Sequence, residues 1–167
     1  YHIPPVAQVA RSLNLIERLL KSYSGTVVGL KDSSGDWTNT SAVLEEFPSL
    51  ATFCGSEVFL LDTLQKGGAG SITATANVNV GNIRNVYENW QEDTAKELQK
   101  GINRVRKAFE NYPAIPALKA IISAYWEHPN WKTVRPPLES LSAEDTQRLS
   151  DTLKQLDFEI QTDDIRT

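Results

Sequence analysis

The stretch Thr26–Asp36 reads Thr-Val-Val-Gly-Leu-Lys-Asp-Ser-Ser-Gly-Asp, an apolar run that ends abruptly in a lysine and a polar loop. Continuous apolar residues such as Val27 and Val28 are typical of a strand that is buried on both faces, as in a parallel sheet. Gly29 within the run leaves room for close packing. Lys31 then lies at the carboxyl end of the strand, where β/α barrels carry their catalytic groups, so it is a candidate Schiff-base nucleophile.

A lysine at this position also has a purely structural interpretation. Its long side chain could reach the surface and pair with Asp32 or Asp36, as lysines at strand ends commonly do. The strand pattern alone leaves both interpretations open.

Two similar units follow the first strand along the chain. The predicted strands are Thr26–Lys31, Leu50–Cys54 and Gly70–Ala74, and the predicted helices between them are Asn39–Phe47 and a segment from Ser56 to Gly67. The strands alternate with helices and no hairpin signal joins them, which indicates a parallel sheet with helices outside it. The sequence therefore predicts an α/β fold, with barrel-type units over 1–80 and a helical section over 81–167.

Helix-capping residues and the two ends complete the prediction. Ser12 and Ser142 are expected to cap helices, and Ser142 forms a capping box with Asp145. Two prolines predict a loop over Tyr1–Ala10. The polar end Gln161–Thr167 is expected to be frayed.

Composition excludes several classes of function. The net charge of −4 and the absence of basic clusters argue against binding to nucleic acid or to a membrane surface. No metal site or cofactor is predicted, because His2 and His128 lie far apart and have no accompanying ligand pattern. The one cysteine, Cys54, lies inside an apolar strand and is expected to be a buried packing residue. Without a signal peptide or an apolar span, the expected location is the cytoplasm.

Three ordered motifs resemble one known family. They are the opening Tyr1-His2-Ile3-Pro4, the Gly-Leu-Lys-Asp-Ser-Ser-Gly-Asp that contains Lys31, and the run from Gly67 to Val78. In their order and spacing they resemble the dihydrodipicolinate synthase/N-acetylneuraminate lyase family of pyruvate-dependent class I aldolases. The resemblance implies a complete (β/α)8 TIM barrel with a helical tail, in which Tyr1 would stand at the end of the fifth strand. The chain is therefore expected to be the carboxyl-terminal half of such a protein, in agreement with its 167 residues against about 250 for a whole barrel.

The resemblance also implies roles for individual residues. Lys31 would form an imine with pyruvate or a related 2-oxo acid, and Tyr1 would relay protons to and from the carbinolamine. Desolvation at a barrel mouth disfavours an ammonium and so increases the fraction of reactive amine. Ile72 matches a position whose backbone carbonyl faces the active site, and Ser33 and Gly55 are further predicted substrate-binding residues.

Two departures from the family bear on specificity. Val6 stands where dihydrodipicolinate synthases place an arginine that binds the carboxylate of the second substrate, and an apolar side chain cannot make that contact. N-acetylneuraminate lyases usually carry two adjacent acids after the glycine that matches Gly55, whereas this chain has Glu57 followed by Val58. Val6 therefore favours a second substrate without a carboxylate there, while a true dihydrodipicolinate synthase and a sugar-acid aldolase or dehydratase stay open as alternatives.

A second hypothesis assigns no activity to the chain by itself. The family's residues for the pyruvate carboxylate lie in the amino-terminal half, which this sequence does not contain. A half barrel would expose strand edges and an apolar inner face, and would favour pairing with the missing half. The resemblance further implies a homo-oligomer, expected to be a tetramer.

Overall fold

The computed structural model describes residues 1–160. The frayed end predicted for 161–167 lies outside the described residues. The chain divides into two compact units: Tyr1–Thr73 with Val86–Lys96 form the first, and Ala74–Asn85 with the described residues from Glu97 onward form the second.

Three short strands and eight α-helices occur within residues 1–160. In chain order they are α1 (Pro4–Ala7), α2 (Leu13–Ser22), β1 (Gly29–Asp32), α3 (Trp37–Glu46), β2 (Ala51–Cys54), α4 (Leu60–Gln65), β3 (Gly70–Ser71), α5 (Ala76–Glu88), α6 (Ala95–Phe109), α7 (Ala114–Tyr125) and α8 (Ala143–Gln155). Short 3₁₀ turns at Glu57–Phe59 and Pro129–Lys132 precede α4 and follow α7.

The strands form one parallel sheet in the order β1-β2-β3. Lys31 on β1 stands opposite Phe53 on β2, which in turn stands opposite Gly70 on β3. His2 adds a parallel bridge to Asp32 on the other side of β1. The predicted α/β class is therefore confirmed, and so is the alternation of parallel strands with helices.

The first strand is shorter and less buried than its sequence predicts. It begins at Gly29 rather than Thr26, and burial on both faces is wrong because Val28 is 70% exposed. Within the strand only Leu30 and Asp32, which share one face, are buried, whereas Gly29 is exposed and Lys31 is half-buried. The predicted close packing at Gly29 is confirmed, since a Cβ there would lie 2.8 Å from the carbonyl oxygen of Ala51.

One apolar cluster packs α2 and α3 against β1. Its buried members come from α2, β1, α3 and the connection after α3, and they are Ile16, Leu30, Val43, Phe47 and Leu50. Caps fix where the helices start: Ser12 Oγ accepts from the amide of Leu15, and Asp36 Oδ1 accepts from the amide of Thr38 at 2.8 Å. The predicted Ser12 cap is thus confirmed.

The loop predicted over Tyr1–Ala10 contains a single helical turn, α1. Pro4 occupies its first position, where a missing amide hydrogen costs nothing and the fixed φ already suits a helix. The loop prediction is therefore wrong for Pro4–Ala7.

The described part of the second unit is helical. Helices α6, α7 and α8 supply most of its core, which includes Val105, Phe109, Ile121, Leu149 and Leu153. Ser142 caps α8 by accepting from the amide of Asp145 at 3.0 Å, as the capping box predicts. No helix within residues 1–160 is long and apolar enough to cross a membrane.

Candidate active site

Lys31 and Tyr1 form the centre of the candidate site. Lys31 Nζ donates a hydrogen bond to the Tyr1 hydroxyl at 3.2 Å and lies 4.3 Å from the centroid of the phenol ring. The strand places this amine, because Lys31 occupies the third of the four positions of β1 and its neighbours Leu30 and Asp32 point to the buried side. A primary amine is thus held beside a group that can both donate and accept a proton.

Backbone hydrogen bonds hold Tyr1 beside the strand. The amide of His2 donates to the carbonyl of Lys31 at 2.8 Å, and the amide of Ser33 donates to the carbonyl of His2 at 2.7 Å. This is the pattern of a parallel ladder reduced to one residue. It brings the residue before His2 into contact with the lysine, although thirty positions separate the two in sequence.

The Ser33 side chain lies beside the Tyr1 phenol and packs against Gly55. Hydrogen bonds with the side chains of Ser33 and Lys31 hold the pKa of the Tyr1 phenol below its usual value, and the bond with Ser33 has the larger effect. A Cβ on Gly55 would lie 2.1 Å from Ser33 Oγ and 2.6 Å from the carbonyl oxygen of Asp32. Glycine is therefore the residue that lets the loop after β2 approach the loop after β1 this closely.

Asp32 is a buried acid directly after the lysine, with 3% of its surface exposed. Its carboxylate accepts from the amide of Ser34 at 2.9 Å, from Asn39 Nδ2 at 2.9 Å and from Thr40 Oγ1 at 2.7 Å. Burial raises the pKa of Asp32, but the hydrogen bonds from Thr40, Asn39 and Ser34 outweigh it and leave the pKa below its usual value.

The structural interpretation of the lysine does not match these contacts. Within residues 1–160, Lys31 forms no ion pair: Asp32 is bonded to groups at the start of α3, and Asp36 caps that helix. Ser33-Ser34-Gly35 form the predicted strand-to-helix turn, with Gly35 at φ +77°. Both aspartates are bonded to other groups, and Lys31 is bonded to Tyr1.

Two further predicted site residues are Ile72 and Val6. Ile72 follows β3, where its amide donates to the carbonyl of Cys54 at 2.9 Å and its side chain is half exposed. Val6 lies on α1 and is 74% exposed. The contacts of the described residues bring together Tyr1, Lys31, Ser33 and Gly55.

Two buried acids are absent from the sequence prediction of the site. One is Asp32, and the other is Glu57, which is fully buried and accepts from Thr73 Oγ1 at 2.5 Å. The signal for Asp32 was its alternation with Leu30, which places an acid on the apolar face, where it needs donors. No cluster of three or more metal-ligating side chains occurs in the described part of the chain.

Comparison with known proteins identifies the family of this chain. The model of the dihydrodipicolinate synthetase family matches residues 1–156. The chain belongs to the dihydrodipicolinate synthetase family. An uncharacterized DapA-like lyase of Chloroflexus aurantiacus is 33% identical over 150 residues, which are 89% of this chain and 50% of that protein.

Solved structures of the family share the fold. The dihydrodipicolinate synthase of Agrobacterium tumefaciens superposes with a TM-score of 0.83 at 31% identity, over 93% of this chain and 52% of that one. The N-acetylneuraminate lyase of Fusobacterium nucleatum complexed with pyruvate superposes with a TM-score of 0.78, over 93% of this chain and 53% of that one. Its identity of 23% makes this a likeness of fold alone.

The family assignment confirms the resemblance and the fold class predicted from sequence. This chain spans about half the length of the curated relatives it matches. Its three parallel strands and following helices thus correspond to part of a (β/α)8 barrel with a helical section. The family's named members include lyases and synthases, so the chain belongs to a family of enzymes.

Proposed function

We propose that the protein is a Schiff-base lyase or aldolase that condenses or cleaves pyruvate or a related 2-oxo acid through an imine on Lys31. The observation that carries the proposal is the 3.2 Å contact between Lys31 Nζ and the Tyr1 hydroxyl at the end of β1. A nucleophilic amine and a proton relay must lie within hydrogen-bond reach of each other for this chemistry.

The reaction begins when neutral Lys31 attacks the ketone carbon. The new C–N bond forms as the carbonyl π pair moves to oxygen. The alkoxide then gains a proton and the positively charged nitrogen loses one, which gives a neutral carbinolamine. Loss of the hydroxyl as water, with a proton from a nearby acid, gives the iminium. The iminium then accepts the electron pair released when a C–H or C–C bond breaks, and an enamine results.

Tyr1 is assigned the proton transfers. Its hydroxyl accepts from Lys31, and its pKa is held below the usual value by Ser33 first and by Lys31 second. A more acidic phenol gives its proton to the departing hydroxyl more readily, and takes one back when the imine is hydrolysed. Tyr1 thus fits the role of acid and base in turn.

The substrate class follows from the family and from Val6. Pyruvate is bound by the Fusobacterium nucleatum lyase of the same fold. Val6 offers an apolar, exposed side chain on α1, and we infer that the second substrate has no carboxylate at that position. Ile72, Ser33 and Gly55 are proposed to contact the 2-oxo acid. The alternatives are a true dihydrodipicolinate synthase and a sugar-acid aldolase or dehydratase.

A second candidate concerns the chain by itself. We infer that it acts only together with an amino-terminal barrel half, in a cytoplasmic protein that assembles as a homotetramer. The cytoplasmic location and the tetramer are expectations from the sequence and the family resemblance alone. Two observations support the need for an amino-terminal half: the relatives are about twice as long, and within residues 1–160 only His2 pairs with β1 on its outer side. In that case the isolated chain would be inactive, as a half that pairs with its missing partner.

Borohydride trapping tests the main proposal. The full-length protein is incubated with pyruvate, reduced, and mapped by peptide mass. Lys21, a largely exposed lysine of the same unit that is paired with Glu17, is the internal control for non-specific labelling. A tag on Lys31 and none on Lys21 is the expected result. A folded protein that carries no tag on Lys31 in excess pyruvate would contradict the proposal.

A further inference from the structure

Asp32 is a buried carboxylate that the proposed reaction does not use, although it follows the candidate nucleophile directly. Carboxylates are rarely this buried unless hydrogen bonds replace the lost water. Here Ser34, Asn39 and Thr40 supply three donors within 2.9 Å. The cap of α3 is Asp36, so Asp32 is not needed for that purpose.

The contacts around Asp32 connect three segments of the first unit. Its side chain ties the end of β1 to the beginning of α3 through Asn39 and Thr40. The backbone on either side of it ties β1 to the segment that carries Tyr1, since His2 donates to the carbonyl of Lys31 and accepts from Ser33. Asp32 therefore stands where the segments that hold the nucleophile and the phenol meet.

We propose that Asp32 is a positioning residue that holds Ser33 and Lys31 against Tyr1 by fixing the turn between β1 and α3. The catalytic role of the Lys31–Tyr1 pair rests on the proposed function, whereas the position of the two side chains is independent of it. Ser33 is the next residue along the chain, and its hydroxyl packs over Gly55. If the Asp32 carboxylate loses its donors, the turn loosens first at Ser33.

The ionisation of Tyr1 reports on this arrangement without any turnover. Ser33 is the largest cause of the lowered pKa of the Tyr1 phenol, and Lys31 is the next. The charged or titratable groups around this site are His2, which pairs with Asp32, Arg11 and Lys31 beside Tyr1, and Cys54 and Glu57 beside Asp32. Burial raises the pKa of Cys54 to about 11. Release of Ser33 should move the pKa of Tyr1 upward.

The experiment uses the full-length protein labelled with [¹³Cζ]tyrosine, in which the Tyr1 resonance is assigned from Tyr1→Phe. Asp32→Ala removes all three acceptor contacts, and Thr40→Val removes the shortest one with little change of shape. Asp32→Asn and Thr40→Ser are the conservative partners, because each retains a group that can form hydrogen bonds at its position. Each variant is titrated, and its rate of imine trapping with pyruvate is measured.

Val43→Ala is the matched control for lost stability. Val43 lies on α3 within a turn of Thr40 and is buried in the apolar cluster. Its side chain has no hydrogen-bonding group, so it donates nothing to Asp32. It should lower Tm through a cavity while it leaves the Tyr1 titration and the trapping rate unchanged.

The expected result is an upward shift of the Tyr1 pKa in Asp32→Ala and Thr40→Val, with trapping slowed by about 10²-fold for Asp32→Ala. The conservative variants should restore both readouts. If Thr40→Val and every folded Asp32 variant titrate at Tyr1 as the parent does, the positioning role is overturned, whatever the trapping rate. A shifted titration in a protein that forms no imine would support positioning and contradict the proposed function.

Discussion

The Tyr1 hydroxyl accepts a hydrogen bond from Lys31 Nζ, and the same ammonium lies over the face of the Tyr1 ring, 4.3 Å from its centroid. The two contacts have different physical origins. The first is a path for a proton, whereas the second is an attraction between a cation and a ring, which an unsubstituted phenyl group also provides. Substitutions can therefore separate the proton path from the packing.

Tyr1→Phe should remove the proton path and keep the ring contact. We expect kcat to fall by about 10²–10⁴-fold, the usual contribution of one acid-base group, with little change in KM. Exchange of the pyruvate methyl protons with solvent, which needs only imine and enamine formation, measures both constants as the pyruvate concentration is varied. Tyr23→Phe is the control, because Tyr23 is also an exposed tyrosine of the first unit. Equal effects of the two substitutions would contradict the role of Tyr1.

Lys31→Arg should abolish imine chemistry without unfolding the protein. Arginine keeps the positive charge but cannot serve as the neutral amine, so we expect activity to fall by at least about 10³-fold. Borohydride trapping and a thermal melt on the same sample measure the two effects. Lys21→Arg should behave as the parent protein, and a trapped adduct in Lys31→Arg would mean that another lysine is the nucleophile.

Much of the fold could be predicted because its signals are local. Ser12 and Ser142 cap the helices that their positions predict, since a cap depends only on the residues of the first turn. The length of β1 could not be predicted in this way. A strand extends only as far as its partner does, and β2 offers four residues for pairing. The apolar Val28 therefore lies outside the strand.

The candidate site was predictable only in part, because its contacts join residues that are distant in sequence. Lys31 and Tyr1 were found from motifs, but their contact depends on the backbone bridge through His2, which no local pattern indicates. Two of the three donors to Asp32 lie seven and eight residues further on, in α3. Alternation along β1 can reveal that Asp32 is buried. It cannot reveal which donors Asp32 meets.

Gly55→Ala should damage the site through a steric clash. The added Cβ would lie 2.1 Å from Ser33 Oγ and 2.7 Å from Ser33 Cα, so the loop after β1 must move. We expect a loss of about 1–3 kcal/mol in the free energy of unfolding, together with slower imine trapping. Denaturant unfolding and trapping measure the two effects.

Gly101→Ala is the matched control for that substitution. Gly101 lies inside α6, and a Cβ there would meet nothing within 4 Å. Alanine should therefore stabilise the helix by about 0.5–1 kcal/mol and leave trapping unchanged. Unchanged trapping in Gly55→Ala would show that Ser33 does not need its present position.

The lowered pKa of Asp32 predicts a component of acid denaturation. Burial raises this pKa, and the bonds from Thr40, Asn39 and Ser34 lower it further than burial raises it. The native state therefore binds this proton less readily than the unfolded state, in which the carboxyl has a pKa of about 3.9. The resulting stability is present above that pH and is lost as the pH falls through the native pKa.

Unfolding free energy measured between about pH 6 and pH 2 should show this component. Asp32→Asn has no carboxyl to titrate, so its stability should depend less steeply on pH in the acid range. Asp151→Asn is a suitable control, because that residue lies on the exposed side of α8. An identical acid slope in Asp32→Asn and in the parent protein would contradict the shift.

Cys54 should be inert in the native protein. Burial raises the pKa of its thiol to about 11, and the side chain is fully buried in β2 with Sγ 3.6 Å from the carbonyl oxygen of Gly70. Because the thiolate is the reactive form, a disulfide reagent at about pH 8 should label Cys54 only as fast as the surrounding sheet opens. The same reagent in denaturant should label it at once, which is the positive control. Rapid labelling under native conditions would mean that β2 and β3 separate readily, and the position of Ile72 after β3 would then be as mobile as the strand pair.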